Sequence, residues 1–93
     1  MNNVKTSIQM PYTMTGRYAH RIVYFMQSIR SKVFIRHDGR NINAKSLLGL
    51  LSLQLHDKDI VDVFCYGDSE NEIKADLKEI EKYIISLANE ENN

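Results

Sequence analysis

The chain has 93 residues, of which 43% are hydrophobic and 26% are charged, enough for one domain with a modest core and too few for two. No apolar run approaches the roughly 18 residues of a membrane-spanning helix, and the first residues lack the pattern of a signal peptide. The single cysteine, Cys65, has no partner for an internal disulfide, which suits a reducing compartment. The composition excludes large multidomain enzymes, disulfide scaffolds and membrane proteins, and we expect a cytoplasmic protein.

The zero net charge conceals an uneven distribution, because residues 1–54 carry +7 and residues 55–93 carry −7. One interpretation is a basic surface that meets an acidic partner or a phosphate. The other is that the two halves pack together and neutralise each other. We do not expect nucleic-acid binding, since the basic half lacks aromatic residues interleaved on a recognisable platform and the isoelectric point is near neutral.

Residues 4–10 and 16–26 predict a strand followed by a helix. Apolar side chains alternate with polar ones in the first segment, as in a half-buried strand, and Pro11 ends it. From Gly16 the apolar residues follow a helical period, and Thr15 stands at the N-cap position, where its hydroxyl can accept a bond from a first-turn N–H. The apolar face of this helix consists of Tyr18, Ala19, Ile22, Val23 and Met26.

A hairpin and a short helix follow. Residues 32–36 and 40–43 predict two strands joined by Asp38-Gly39, a dipeptide typical of type I′ turns. A very apolar helix begins just after Ser46, which suits an N-cap. Its leucines are Leu47, Leu48, Leu50, Leu51 and Leu53. Leu50 and Leu53 are expected in the core.

The last third of the chain predicts a fourth strand and a long helix. Residues 60–66 form the strand, one face of which carries two valines and Cys65. Ser69 and Glu72 have the spacing of a capping box, so a helix begins after Ser69. Its apolar stripe is Ile73, Leu77, Ile80, Ile84 and Leu87.

The order β-α-β-β-α-β-α predicts an α+β fold, an open-faced two-layer sandwich. In it, a four-stranded, mostly antiparallel sheet is covered on one face by three helices. We expect one domain over residues 1–88 and a polar, frayed tail over residues 89–93.

The uncovered face of this sheet is a second candidate surface. Ile60, Phe64 and Tyr66 would point from it, as would Phe34, and gathered aromatic residues on an open sheet indicate a contact surface, including one for self-association. The ordinary alternative is a scatter of surface apolar groups, which are common.

The segment from Asn43 to Leu53, with Lys45-Ser46 opening a leucine-rich helix, resembles part of HPr, the histidine-containing phosphocarrier of the bacterial sugar phosphotransferase system. Gly39 matches the hairpin glycine of that family and Gly67 the turn before its last helix. The resemblance covers about residues 2–88 and implies an HPr-like sandwich that is not an enzyme and needs no cofactor or metal.

The active motif of the family reads His-x-Arg-Pro-Ala, and the matching run here is Thr15-Gly16-Arg17-Tyr18-Ala19. Threonine thus replaces the phosphorylated histidine, and tyrosine replaces the proline. A phosphothreonine is an ordinary ester, whereas a phosphohistidine has a high-energy N–P bond that passes its group on. The substitution therefore argues against carrier activity. Thr15, Gly16 and Arg17 still predict an anion or phosphate site at the helix N-terminus, the alternative being a solvated arginine.

Ser46 is the candidate regulatory residue. In Gram-positive relatives of HPr the serine of this Lys-Ser pair is phosphorylated by the HPr kinase/phosphorylase, which would place about two negative charges beside the leucines. The alternative is that Ser46 is only an N-cap. In HPr the matching hydrophobic patch docks enzyme I, the kinase and a transcriptional repressor. The candidate partner-binding residues are Arg17, His20, Lys45, Leu47, Leu48 and Leu51.

The histidines and the cysteine are not expected to form a site. His20 lies about one and a half turns from the N-cap, away from the first-turn N–H groups, so it is a poor substitute acceptor. His37 and His56 have no companion at metal-ligand spacing and are expected at the surface. Cys65 is expected to be a small buried residue.

Three hypotheses follow. The first is an HPr-like protein without the carrier histidine that acts by protein–protein recognition, with Ser46 as its switch, like the HPr paralogues of carbon catabolite repression. Its partners would be the HPr kinase/phosphorylase, a transcriptional repressor or phosphotransferase components. The second is a phosphocarrier of sugar uptake that uses another acceptor residue. The third is a binding or assembly module without phosphate chemistry.

Overall fold

One sheet and three helices make up the computed structural model, which describes residues 1–90. The strands are β1 (Asn2–Gln9), β2 (Lys32–His37), β3 (Arg40–Asn43) and β4 (Ile60–Gly67), and the helices are α1 (Gly16–Met26), α2 (Leu47–Ser52) and α3 (Glu70–Glu90). The sheet order is β1-β4-β2-β3, and all three pairings are antiparallel. This architecture confirms the predicted sandwich and its element order.

β4 lies at the centre of the sheet because it pairs along its length with β1 and β2. Side chains alternate between the two faces of a strand, and here one face of β4 is buried and the other faces solvent. Val61, Val63 and Cys65 are buried against the helices, as predicted, whereas Ile60 on the other face is 55% exposed. The core therefore lies between the sheet and the helical layer.

α3 covers β1 and β4 with the stripe that its sequence predicts. All five apolar positions of that stripe are buried, namely Ile73, Leu77, Ile80, Ile84 and Leu87. The hydroxyl of Ser69 accepts a hydrogen bond from the backbone N–H of Glu72 at 3.3 Å, which is the serine half of the predicted capping box.

The hairpin between β2 and β3 has the predicted turn. Asp38 and Gly39 have φ angles of 51° and 79°, and a type I′ turn requires positive φ at both central residues. Glycine adopts this conformation without a steric cost, so Gly39 sets the register in which His37 faces Arg40.

The first two residues of the expected tail are helical, and fraying of the tail stays a prediction. Asn89 and Glu90 belong to α3, and a carboxylate oxygen of Glu90 lies 2.6 Å from a guanidinium nitrogen of Arg21 on α1. Leu87, which is fully buried, fixes the last turns of the helix. Residues 91–93 of the predicted tail lie outside the described residues.

The loop before α1 is anchored to α3. The hydroxyl of Tyr12 donates a hydrogen bond to the backbone carbonyl of Ile84 at 2.7 Å, and burial raises the pKa of this tyrosine above its ordinary value. Its ring stacks on that of Tyr18, with centroids 4.0 Å apart. These contacts fix where α1 begins. Within residues 1–90, no helix combines the length and the apolar character needed to cross a membrane.

The α2 leucines offer a matched test of this core. Leu50 is fully buried, whereas Leu48 on the same helix is 79% exposed. We expect Leu50→Ala to lower the free energy of unfolding by about 2–5 kcal/mol, because a buried leucine leaves a cavity. Leu48→Ala should change it by less than about 0.5 kcal/mol. Urea denaturation of both variants measures the difference, and equal losses would contradict the assigned burial.

Candidate functional site on helices α1 and α2

The N-terminus of α1 has no side-chain cap. Thr15 occupies the N-cap position with an extended backbone, but its side chain makes no capping hydrogen bond. The prediction that its hydroxyl caps the helix is therefore wrong. Threonine is a weaker N-cap than serine or aspartate. Because Thr15, Gly16 and Arg17 are all exposed, water can satisfy the first-turn N–H groups instead.

The surroundings of these donors suit a negative charge. The first turn of α1 contains no acidic residue, and Arg17 stands in it at the surface. A helix N-terminus carries a partial positive charge, so neither the helix nor the side chains of this turn oppose an anion. The anion site predicted at Thr15, Gly16 and Arg17 stays a prediction.

Tyr18 has a structural role in the first turn of α1. Its ring is half-buried and stacks on Tyr12, with the two planes 14° apart. The side chain therefore packs inward against the core and leaves the beginning of α1 uncovered.

Ser46 caps α2 and remains accessible. Its hydroxyl oxygen accepts a hydrogen bond from the backbone N–H of Gly49 at 3.0 Å, and the residue is exposed. A Cβ atom at position 49 would stand 3.1 Å from this oxygen, so glycine permits the close approach. The predicted N-cap is confirmed, and its oxygen lies at the surface.

The α2 leucines divide between the core and the surface. Leu50 and Leu53 are buried, as predicted. Leu47 and Leu51 are half-buried, and Leu48 is the most exposed of the five. An exposed leucine between two half-buried ones forms an apolar patch directly after Ser46.

Polar and apolar contacts join α1 to this patch. The side-chain amide of Gln27, at the end of α1, donates to the carbonyl of Lys45 at 3.4 Å. At the other end, Met14 and Leu51 line a common cavity of about 370 Å³. The ammonium of Lys45 donates to the carbonyl of Ile29 at 2.7 Å, so this cation is directed to the protein's own backbone. The role of Lys45 in partner binding stays a prediction.

The exposed face of α1 adds an aromatic residue that the sequence analysis did not assign to the site. Arg17, His20, Tyr24 and Gln27 are spaced by three or four residues and are all exposed, which places them on one side of the helix. Tyr24 is 78% exposed. Its spacing of four from His20 is the signal that would have found it. We call these four residues, together with Leu47, Leu48 and Leu51, the α1–α2 surface.

The histidines occupy different environments. His20 lines a groove of about 450 Å³ with Arg21, Tyr24 and Tyr83, away from the first-turn N–H groups, as predicted.

His37 is not the simple surface residue that we expected. Its Nδ1 lies 3.0 Å from the carbonyl of Ile60, and its Nε2 lies 3.6 Å from a carboxylate oxygen of Asp59. The more exposed His56 lies 3.8 Å from the same oxygen. The fold brings these residues together because β2 pairs with β4, which follows Asp59 in the chain.

Neither metal chemistry nor thiol chemistry is supported in the described part of the chain. No cluster of three or more potential metal ligands occurs among residues 1–90. Cys65 is fully buried, as predicted, and burial raises the pKa of its thiol to about 11. A protonated, inaccessible thiol is unreactive.

The comparisons with known proteins identify the family. Residues 3–84 match the PTS-HPr family, described as the PTS HPr component phosphorylation site. The chain belongs to the HPr family. It is 35% identical over 61 residues to the HPr-like protein Crh of Halalkalibacterium halodurans, a match that covers 62% of this chain and 73% of that protein.

Solved structures agree with this assignment. The phosphocarrier protein HPr of Bacillus anthracis superposes with a TM-score of 0.78 at 23% identity, covering 87% of this chain and 95% of that one, which supports the HPr fold. Crh of Bacillus subtilis, described as a catabolite repression protein that forms a dimer with a swapping domain, superposes with a TM-score of 0.67 at 28% identity, covering 92% and 95%. The chain is thus HPr-like, and these relatives are described as an HPr-like protein, a phosphocarrier protein and a catabolite repression protein.

The two N-cap residues of the site provide a matched pair of variants. Ser46→Ala removes an observed capping bond, so we expect it to lower the free energy of unfolding by about 0.5–2 kcal/mol. Thr15→Ala removes no such bond and should change it by less than about 0.5 kcal/mol. Thermal and urea unfolding of both variants test this, and a larger loss for Thr15→Ala would contradict the geometry of the α1 N-terminus.

Proposed function

We propose that this HPr-like protein is a regulatory protein that recognises other proteins through the α1–α2 surface, with phosphorylation of Ser46 as its switch. The observation that carries the proposal is the exposed Ser46 hydroxyl at the start of α2, next to the 79% exposed Leu48. Exposed apolar groups at the centre of a polar surface are typical of a protein-binding site. The similarity to Crh, whose structure is described as that of a catabolite repression protein, supports a regulatory role.

The composition of the surface suits recognition of a protein. Leu48 and Tyr24 provide large exposed side chains on adjacent helices, and aromatic residues supply much of the binding energy in interfaces. Arg17 and His20 border them on α1. A partner would therefore need an apolar centre with acidic groups on the side that faces α1.

Phosphorylation would change this surface without rebuilding the fold. The Ser46 oxygen is at the surface, and a phosphate there adds about two negative charges beside the leucines. The core residues of α2, Leu50 and Leu53, point the other way into the protein. The modification would thus alter which partners bind while the helix stays packed.

Phosphorylation by an HPr kinase/phosphorylase tests the switch. We expect the purified protein to gain the mass of one phosphate when it is incubated with ATP and the kinase, and Ser46→Ala to gain none. Ser69→Ala is the matched control, since Ser69 is also an exposed N-cap serine, and it should be phosphorylated normally. Intact-mass spectrometry reports each result.

The control for kinase activity is an ordinary HPr in a parallel reaction. Modification of the Ser46→Ala variant would show that the site is wrong. If the kinase modifies ordinary HPr but not this chain, the regulatory switch is refuted, and a binding or assembly module without phosphate chemistry is then favoured.

A second experiment tests the loss of carrier chemistry at Thr15. We expect no labelling of the unmodified chain by phosphoenolpyruvate and enzyme I, because threonine cannot form the transferable N–P bond. Thr15→His should be labelled, since the first turn of α1 is exposed and free of acidic residues. Acid-labile incorporation of phosphate measures both reactions.

Labelling of the unmodified chain would contradict the proposal and favour a phosphocarrier that uses another acceptor. His20→Ala would then show whether His20 is that acceptor. If Thr15→His remains unlabelled while ordinary HPr is labelled, then Tyr18 or the partner surface has diverged as well as Thr15.

A further inference from the structure

The open face of the sheet holds three aromatic rings at its centre. Phe64 and Tyr66 lie on β4, and Phe34 lies directly opposite Phe64 on β2. The centroids of Phe34 and Tyr66 are 5.7 Å apart with planes at 83°, and those of Phe64 and Tyr66 are 6.5 Å apart with planes at 21°. All three residues are half-buried. We call this cluster the aromatic platform.

Three cations surround the aromatic platform. Lys5 on β1 is opposite Phe64, with its ammonium 6.0 Å from the ring centroid. Lys32 on β2 is opposite Tyr66, and the guanidinium carbon of Arg36 lies 4.8 Å from the Phe64 centroid. The cations therefore stand on both sides of the rings, on two different strands.

A single carboxylate shares this face within the four strands. Asp62 accepts a hydrogen bond from the hydroxyl of Ser7 at 2.7 Å and lies 3.4 Å from Arg36. The bond from Ser7, with a smaller contribution from Arg36, lowers the pKa of Asp62. This carboxylate is thus already engaged by protein groups. The remaining outward positions include four side-chain amides, Asn3, Gln9, Asn41 and Asn43.

Half of the chain's twelve acidic residues lie on the other layer. α3, on the helical side of the sheet, carries Glu70, Glu72, Asp76, Glu79, Glu81 and Glu90. The open face instead has three cations against one paired carboxylate. The zero net charge of the whole protein therefore conceals a positive face that contains aromatic rings.

We propose that the open face of the sheet binds single-stranded nucleic acid, with bases stacked on the aromatic platform and phosphates held by Lys5, Lys32 and Arg36. Unstacked bases bind aromatic side chains on the central strands of open antiparallel sheets, and basic residues around such rings contact the backbone. The amide side chains can donate to and accept from base edges. This proposal is independent of the function proposed for the α1–α2 surface.

A cavity of about 260 Å³ at the end of the sheet adjoins the rings, and its lining includes Tyr66 and Lys32 of the open face. It does not extend the positive surface, because the lining contains Asp68 and Glu72 as well as Arg30.

Charge decides between nucleic acid and a second copy of the chain. Two copies stacked through this face would bring Lys5, Lys32 and Arg36 of each copy together, and like charges in an interface are unfavourable. A polyanion with aromatic bases complements both the cations and the rings. The sequence analysis placed Phe34, Phe64 and Tyr66 on the open face as a surface for self-association and did not expect nucleic-acid binding. It did not place the cations beside these rings, because Lys5, Lys32 and Arg36 become their neighbours only when the strands pair.

Salt-dependent binding is the first test. We would measure the fluorescence anisotropy of a labelled 12-nucleotide RNA of mixed sequence, the DNA of the same sequence and a DNA duplex, between 50 and 200 mM NaCl. Three phosphate contacts predict a slope of about −2 for log K against log salt with single strands. Lys5→Gln should make the slope shallower by about 0.7. Lys78→Gln, an exposed lysine on α3, is the matched control and should leave it unchanged.

Stacking is tested by a second pair of variants. Phe64→Leu should weaken single-strand binding by roughly tenfold without changing the salt slope, because it removes a ring and no charge. Phe25→Leu is the control, since Phe25 is also half-buried and stacked, on Tyr83 in the helical layer, with centroids 4.2 Å apart. If Phe64→Leu fails to fold, NMR shifts of the Phe34 and Tyr66 amides on adding the RNA to the unmodified protein provide the same test.

Several results would overturn the proposal. One is that neither single strand binds at 50 mM salt. Another is that Lys78→Gln and Lys5→Gln weaken single-strand binding equally. A third is that the duplex binds as tightly as the single strands and that Phe64→Leu does not change its affinity. Shifts of the β2 and β4 amides that follow protein concentration rather than added strand would show that this face is a contact between copies. Preference for the RNA or for the DNA would support the proposal and assign the ligand.

Discussion

The burial of one face of β4 is the constraint on which the rest of the structure depends. Val61, Val63 and Cys65 are almost completely inaccessible, and a central strand reaches this state only when helices cover the whole of that face. The three helices are therefore confined to one layer, where α1 contacts both α2 and α3. Two consequences follow from this single arrangement. The exposed sides of α1 and α2 form a continuous surface, and the opposite face of the sheet keeps its aromatic rings open.

The two helix beginnings in the helical layer differ in a way that bears on their chemistry. At α2 the N-cap hydroxyl of Ser46 is committed to the Gly49 N–H, so the first turn is already organised around that oxygen. At α1 the Thr15 hydroxyl is not used as a cap, and Thr15, Gly16 and Arg17 are exposed. The two helix beginnings therefore present different groups at the surface, a hydrogen-bonded serine oxygen at α2 and an exposed threonine and arginine at α1.

Residue spacing and backbone preference predicted the parts of the fold that depend on residues close together in the sequence. The stripe from Ile73 to Leu87 and the Asp38-Gly39 turn depend on spacing and on backbone preference within a few residues, and the structure confirms both. Features that depend on distant residues escaped prediction. Two such features are the ion pair between Arg21 and Glu90 and the hydrogen bond from the Lys45 ammonium to the carbonyl of Ile29. For the site, Ser46, Leu48 and the aromatic residues of the open face were accessible to sequence reasoning, whereas the neighbourhood of Tyr24 and the cations around the rings arise only when helices pack and strands pair.

The charge asymmetry of the sequence becomes an asymmetry between the layers, and both interpretations of it apply in part. Arg21–Glu90 and Arg36–Asp62 are pairs between the two halves of the chain, so some charge is neutralised internally. β1 and β2 come from the basic half and place their lysines on the open face, while the acidic half supplies α3.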